Sequence, residues 1–269
     1  LVWVAQIAGS SGSDAAMSIA VGADGSDYTT GGFFGTTDFD SSAATFSLTS
    51  SGDLEAFVMK LDASGNFVWA QRAGGTGWDA GKSIAVDSSG VYAVGLFSNS
   101  ADFGPTILTS TGGRDVFVTK LDTAGNFLWT RSAGASGDEY MAWGGSLALD
   151  PSGNAIATGE LSGTADFDPG PGTTNLSPGA FVWKLDPAGN LVWARSFAES
   201  PGFSAGGEGI AVDAAGDIYT TGHLSNAGVA DFDPGPGTAT LSQPSTNYGG
   251  SFISKLNSSG NFVWVRYGT

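Results

Sequence analysis

Asn66 to Gly75 reads NFVWAQRAGG, and close variants of it return along the chain. LVWVAQIAG begins at Leu1, NFLWTRSAG at Asn126, NLVWARSFA at Asn190 and NFVWVRYGT at Asn261. Their tryptophans, Trp3, Trp69, Trp129, Trp193 and Trp264, stand 66, 60, 64 and 71 residues apart. One unit of about 65 residues is therefore repeated, with its length changes in loops.

Each unit holds four short runs of alternating apolar and polar residues, the period of half-buried antiparallel strands. In the second unit they are Ser83 to Asp87 (strand a), Val91 to Phe103 (b), Asp115 to Asp122 (c) and Asn126 to Ser132 (d). DSSG (Asp87 to Gly90) joins a to b and DTAG (Asp122 to Gly125) joins c to d, both with the Asp and Gly of tight hairpins. A four-stranded sheet repeated in tandem buries both faces only against its neighbours, and radial packing gives a β-propeller. A β-solenoid competes, but its coils are much shorter than this unit. The expected fold is all-β, a propeller of four-stranded antiparallel blades. The expected domain is 1–269, with strand d only at 1–9 and repeats at about 10–74, 75–134, 135–198 and 199–269. Four blades plus one extra strand d, Leu1 to Gly9, leave two arrangements open: a four-bladed ring with a strand to spare, or an arc of a larger ring.

Composition agrees. The 269 residues are 41% apolar, with 43 glycines, and helix formers are scarce. No run approaches a membrane-spanning length. Ten basic against 26 acidic residues give a net charge of -16, which repels nucleic-acid phosphates and anionic membranes. The absence of cysteine excludes disulfides, thiolate catalysis and thiolate metal sites. A start at Leu1 is read as processing, trimming or membership of a longer chain.

GIAVDAAGDIYTTG (Gly209 to Gly222), ADFDPGPGT (Ala230 to Thr238) and FVWKLDPAGN with LVWAR (Phe181 to Arg195) resemble the bacterial β-propeller repeats called SBBP repeats. Strands a and b also resemble the NHL pattern. The resemblance covers essentially the whole chain. It implies a secreted or surface-attached bacterial propeller serving as scaffold or binding module, and it implies no catalytic residues.

Recurrence separates framework from decoration. Lys60, Lys120, Lys184 and Lys255 in strand c and Arg72, Arg131, Arg195 and Arg266 after the strand-d tryptophan recur, so a structural role is expected for each. Only Lys82 and Arg114 fall outside this pattern. The recurrent tryptophans are read as packing between blades rather than as sugar platforms. His223, the lone histidine, occupies a strand-b position held elsewhere by Gly32, Leu96 and Glu160, which is not a core slot.

Because strands alternate in direction, the b-to-c and d-to-a connections share one face, and the variable chemistry lies there. The expected contact residues are Trp78, Asp79, Asp138, Glu139, Tyr140, Trp143, Phe203, Glu208 and His223, with Glu199 in the same loops. ADFDPGPGT occurs twice, at Ala165 to Thr173 and Ala230 to Thr238, and its carboxylate pairs recur as Asp38/Asp40, Asp166/Asp168 and Asp231/Asp233. The second repeat keeps Asp102 but has Gly104 in the second place. Strand alternation sends the central Phe one way and the carboxylates the other. The pairs are read as acceptors for turn amides, with a weak Ca²⁺ site as the alternative, since Ca²⁺ takes roughly six to eight oxygens and the motif supplies few. No other cofactor is expected.

The function expected is a non-catalytic extracellular, cell-surface or periplasmic propeller that holds a protein partner or carbohydrate through the loop face. The alternatives are an accessory subunit of a larger surface or membrane-associated assembly, docked by the same face or by the extra strand, and a polysaccharide hydrolase or lyase using Asp138, Glu139, Glu160 or Glu208.

Overall fold

The computed structural model describes residues 6–9, 12–142, 146–199, 204–225, 228–243 and 249–268. Leu1 to Ala5 with Trp3, as well as Trp143 and Phe203, lie outside the described residues. Every helical or strand element among the described residues is a strand. The chain forms two compact units, Leu1–Ser132 and Ala133–Thr269.

Unit one carries two antiparallel meanders. The first runs Ala15–Val21 (a), Asp27–Phe33 (b), Glu55–Leu61 (c) and Phe67–Gly75 (d). The second runs Ala80–Asp87 (a), the first part of Gly90–Phe103 (b), the last part of Thr106–Leu121 (c) and Phe127–Ala133 (d). Unit two repeats the plan. Its first meander is Leu147–Leu149, Ala155–Leu161, Gly179–Leu185 and Leu191–Ser196. Its second is Ser204–Val212, Ile218–Ser225, Gly250–Leu256 and Phe262–Gly268.

The c-to-d turns explain the repeated Asp-x-x-Gly-Asn letters. Asp62 Oδ1 accepts the amides of Ser64 (2.8 Å) and Asn66 (2.9 Å), and Asn66 Nδ2 donates to Asp62 Oδ2 (2.8 Å). Asp122 and Asp186 repeat the same three bonds with Asn126 and Asn190. These local bonds fix the hairpin register, so Lys60 faces Trp69, Lys184 faces Trp193 and Lys255 faces Trp264 across strands c and d.

Strand d of one repeat also reaches the next. Between b and c each repeat extends a small arm, such as Thr36–Asp38 paired with Ser47–Thr49. Gly74 and Gly75, at the tail of the first strand d, pair with Asp102 and Ala101 in the second arm. Ala198–Glu199 pairs likewise with Asp231 and Ala230. Ala8–Gly9 pairs with Asp38 and Thr37, so the tail of the extra segment does for the first arm what Gly74–Gly75 does for the second.

Meanders within a unit share cores. In unit one Tyr28, Val58 and Trp69 of the first pack with Ile84, Val91, Ala93 and Leu121 of the second. In unit two Ile156, Val182 and Trp193 pack with Ile218, Phe252 and Leu256. The strand-d indole crosses this seam: Trp69 Nε1 donates to the carbonyl of Thr123 (3.1 Å) and Trp193 Nε1 to that of Ser258 (3.2 Å). Gly125 and Gly260 seat these indoles. A Cβ there would lie 2.8 and 2.9 Å from the ring, and their φ of 88° and 78° is left-handed. These tryptophans are inter-sheet core.

Candidate functional site

The Asp-Phe-Asp corners are built around the buried Phe. Phe39, Phe103, Phe167 and Phe232 are buried in aromatic clusters; Phe167, for example, lies 5.1 Å from Phe181 and 5.2 Å from Trp183. With the ring anchored, the first carboxylate closes the loop. Asp166 Oδ1 accepts the amides of Asp168 (2.9 Å) and Thr174 (2.7 Å), Asp231 those of Asp233 (3.0 Å) and Ala239 (2.8 Å), and Asp38 those of Asp40 (3.1 Å) and Phe46 (2.9 Å). The second carboxylate organises the Pro-Gly-Pro-Gly run. Asp168 Oδ1 accepts the Gly170 amide (2.8 Å), and a Cβ on Gly172 would lie 2.1 Å from Asp168 Oδ2. Asp233 stands the same way to Gly235 and Gly237. Asp102 accepts from the Gly104 amide (2.9 Å).

The recurrent charges grip the scaffold. Lys184 Nζ lies 2.8 Å from Asp150 and donates to the carbonyl of Ser258 (3.1 Å), Lys255 lies 2.9 Å from Asp217, and Lys60 lies 3.7 Å from Asp24. Lys120 donates to Ser89 Oγ (3.0 Å). Arg195 Nε donates to the carbonyl of Gly260 (3.2 Å).

Asp79 and Glu139, expected on the contact face, are instead fully buried and hold their own loops. Asp79 accepts the amides of Gly75 (2.7 Å) and Ser98 (3.1 Å); burial, with a smaller push from Glu55, raises its pKa to about 6. Glu139 accepts from the Ala135 amide (3.2 Å) and Ser162 Oγ (2.9 Å). Glu55 is buried beneath the Ser51 amide (2.6 Å) and the Arg72 guanidinium (3.1 Å), and burial outweighs both in raising its pKa. Leu96 is also buried, so the strand-b position shared with His223 is a core slot in that repeat.

What varies between repeats is carried by a bulge in strand a. The a-to-b register slips between Ala16 and Ser18, between Gly81 and Ser83, and between Gly207 and Gly209. Met17, Lys82 and Glu208 are the extra residues, and a bulge re-aims a side chain out of the ladder. Nearby in strand b stand Gly32, Leu96 and His223, paired with Ala15, Ala80 and Gly206.

In unit two these positions make a cleft of about 90 Å³ lined by Tyr140, Ala142, Glu160, Gly206, Glu208 and His223. His223 Nδ1 lies 3.1 Å from Glu208 Oε1, and its Nε2 lies 3.7 Å from Glu160 Oε2. Ser204 Oγ donates to Glu160 Oε1 (2.5 Å). Tyr140 and Glu160 exchange both backbone hydrogen bonds (3.0 and 2.8 Å), which fixes the tyrosine at the rim with 59% of its surface exposed. Gly206 makes room for the ring, since a Cβ there would lie 2.4 Å from His223 Cε1. The carboxylates face opposite ring nitrogens, so the imidazole separates them. Among the described residues no group of three or more His, Asp or Glu is gathered as a metal ion would need. Asp138 is exposed near this loop. A larger hollow in unit one, about 470 Å³, lies among the a-to-b turns and is framed by recurrent turn residues such as Asp24 and Tyr28.

The bulge and the Ser204 contact escaped the sequence reading. Both depend on the pairing register, which no local pattern of the sequence marks.

No known family profile matches the chain. It is 24% identical over 236 residues to an uncharacterised WD repeat-containing protein of Acanthamoeba polyphaga mimivirus, covering 74% of this chain and 16% of that protein. The chain thus spans about a sixth of that relative's length. Among solved structures, a protein of unknown function from Bacteroides caccae is similar over 95% of this chain and 82% of that chain, at 9% identity and a TM-score of 0.42. The all-β meanders and the WD-repeat similarity fit a propeller-like repeat fold. No helix among the described residues is long and apolar enough to cross a membrane.

Proposed function

We propose that the chain is a non-catalytic binding module of SBBP type, a four-bladed propeller acting outside the cell or at its surface in a bacterium, that holds a protein partner through a basic side chain at the Tyr140–Glu160–Glu208–His223 cleft. The observation that carries this reading is the contrast between recurrent charges, engaged within the scaffold, and the Glu160, Glu208 and His223 side chains gathered at one small cleft. A lysine or arginine at the rim meets the Glu208 carboxylate beside the exposed Tyr140, a combination that attracts a cation. The net charge of -16 steers a basic partner toward the chain. In this reading the Asp pairs of the corners serve turn amides rather than calcium. The chain can work as a subunit of a larger surface assembly through the same face.

The test is binding to immobilised arginine-rich, lysine-rich and uncharged peptides. Tyr140→Ala and Glu208→Gln should each weaken binding of the basic peptides about tenfold without lowering Tm. Equal binding of charged and uncharged peptides sinks the proposal. Glycoside hydrolysis also uses two carboxylates, and Glu160 and Glu208 share this cleft. Turnover in a polysaccharide screen, lost in Glu208→Gln, would replace the binding role with an enzymatic one.

A further inference from the structure

We propose that a second copy of this chain docks on it head to tail, the outer face of the last meander, at Ile253 and Trp264, covering the open face of the first, at Ile19, Val21 and Gly65.

Each unit shows what such a seam requires. The earlier meander offers a strand-d indole beside a strand-c valine, Trp69 with Val58 and Trp193 with Val182, all buried in the shared cores. The later meander receives them with a strand-a isoleucine, Ile84 or Ile210, and with a c-to-d glycine, Gly125 or Gly260, that is buried beneath the ring. Arg195 Nε adds a bond to the Gly260 carbonyl (3.2 Å).

The first and last meanders carry the same parts uncovered. Counted from the strand-a bulge, Ile19 and Val21 stand where Ile84 and Val86 stand, yet Ile19 is 62% and Val21 64% exposed, against 5% for Ile84. Gly65, left-handed with a φ of 82°, holds the place of Gly125 but is half-exposed. Beside Ile19 a hollow of about 180 Å³ opens over Met59 and Leu61. On the last meander Ile253 holds the place of Val58, each opposite a strand-b threonine, and is 46% exposed. Trp264 is half-buried, and among the described residues neither its Nε1 nor Arg266 Nε has the carbonyl that Trp193 and Arg195 find across their seam.

The occupant follows from the parts. The open face of the first meander calls for an indole with an arginine two residues on and a β-branched side chain beside it, and the last meander presents that set unused. One chain therefore carries both halves of a heterologous contact, which a second copy completes. Asp27, at the position of Val91, puts a carboxylate into the lining of the hollow, which suits association between chains rather than a permanent core. This inference goes beyond the peptide-binding reading, and neither face includes the cleft at His223.

Light scattering of the full chain behind size exclusion tests it across a range of loading concentrations. The mass should rise above that of one chain with concentration, and rise further in salt, which screens the repulsion between two chains of net charge -16. Ile19→Gln and Ile253→Gln should each weaken association at least about tenfold at unchanged Tm, as loss of a buried isoleucine contact does. Mixed, the two variants should recover a one-to-one pair, because each keeps the face that the other has lost. Where the first fails to fold, Val21→Gln replaces it, and Arg266→Gln replaces the second. A single-chain mass at every concentration overturns the proposal, as does association unchanged in both variants or a mixture that stays unassociated.

Discussion

Replacing Asp166 by alanine removes the acceptor that closes the third corner. The lost bonds are those to the Asp168 and Thr174 amides, at 2.9 and 2.7 Å, and the second spans eight residues. Asp166 is exposed, so each bond contributes near the usual net value of about 1 kcal/mol rather than the larger value of a buried charged acceptor, and the total is about 2 kcal/mol. For a chain of this size that loss lowers Tm by roughly 4–8 °C. Asp166→Asn keeps an oxygen where Oδ1 stood and should cost less than about 1 kcal/mol. Phe167→Ala, which empties the buried ring site, should cost about 3–5 kcal/mol. Differential scanning calorimetry in EDTA and again in millimolar calcium separates the two readings of the motif. A turn acceptor gives the order Asn, Ala, then the Phe167 variant, with the same Tm in both buffers. If Asn costs as much as Ala, and calcium raises the Tm of the unaltered chain but not of the variants, the carboxylate is a metal ligand and the reasoning fails.

Gly172→Ala should lower Tm by several degrees, because its Cβ would meet Asp168 Oδ2 at 2.1 Å, and adding Asp168→Ala should restore part of the loss, as thermal melts will show. Trp193→Phe keeps most of the packing but loses the bond to Ser258, so chemical denaturation should report about 1 kcal/mol, against about 3–5 kcal/mol for Trp193→Ala. Asp79 gives a pH dependence of inverted sign. Its folded pKa of about 6 lies above the unfolded 3.8, so ionisation destabilises the fold, and this contribution is lost as pH rises from about 4 to about 6. At 1.36 kcal/mol per unit the swing is about 3 kcal/mol in favour of the acidic side. Turn carboxylates such as Asp62 and Asp122 are held below their usual range and act oppositely, losing their contribution below about pH 4. Urea melts should therefore find greater stability at pH 4–5 than at pH 7, and a flat or rising profile toward pH 7 contradicts the burial of Asp79.

The strand pattern was legible because the chain prints it four times. Trp69 and Trp193 could be assigned to packing, and Lys184 to a structural role, from recurrence alone. Position within a loop was not legible. Asp79 beside Trp78, and Glu139 beside Tyr140, read as acids next to exposed aromatics; only the Gly75 and Ala135 amides, brought round by the backbone, show that each carboxylate faces inward. His223 looked isolated because Glu160, 63 residues away, comes from strand b of the neighbouring repeat and Glu208, 15 residues away, meets it through a bulge in the a-to-b pairing, neither of which a local propensity encodes. Lys82 and Arg114 likewise looked like leftovers until the ladder set both against one indole.

The proposal assigns folding to the recurrent residues and binding to those of the unit-two cleft. A saturation scan of the displayed protein, sorted once for protease resistance and once for capture by a basic peptide, reads both properties at every position. The account predicts that substitutions at Phe167, Lys184, Trp193 and Asp231 lower resistance and capture together, whereas those at Tyr140, Glu160, Glu208 and His223 lower capture alone. Loss of resistance at the second group matching that at the first, or capture untouched by the second group, would contradict it.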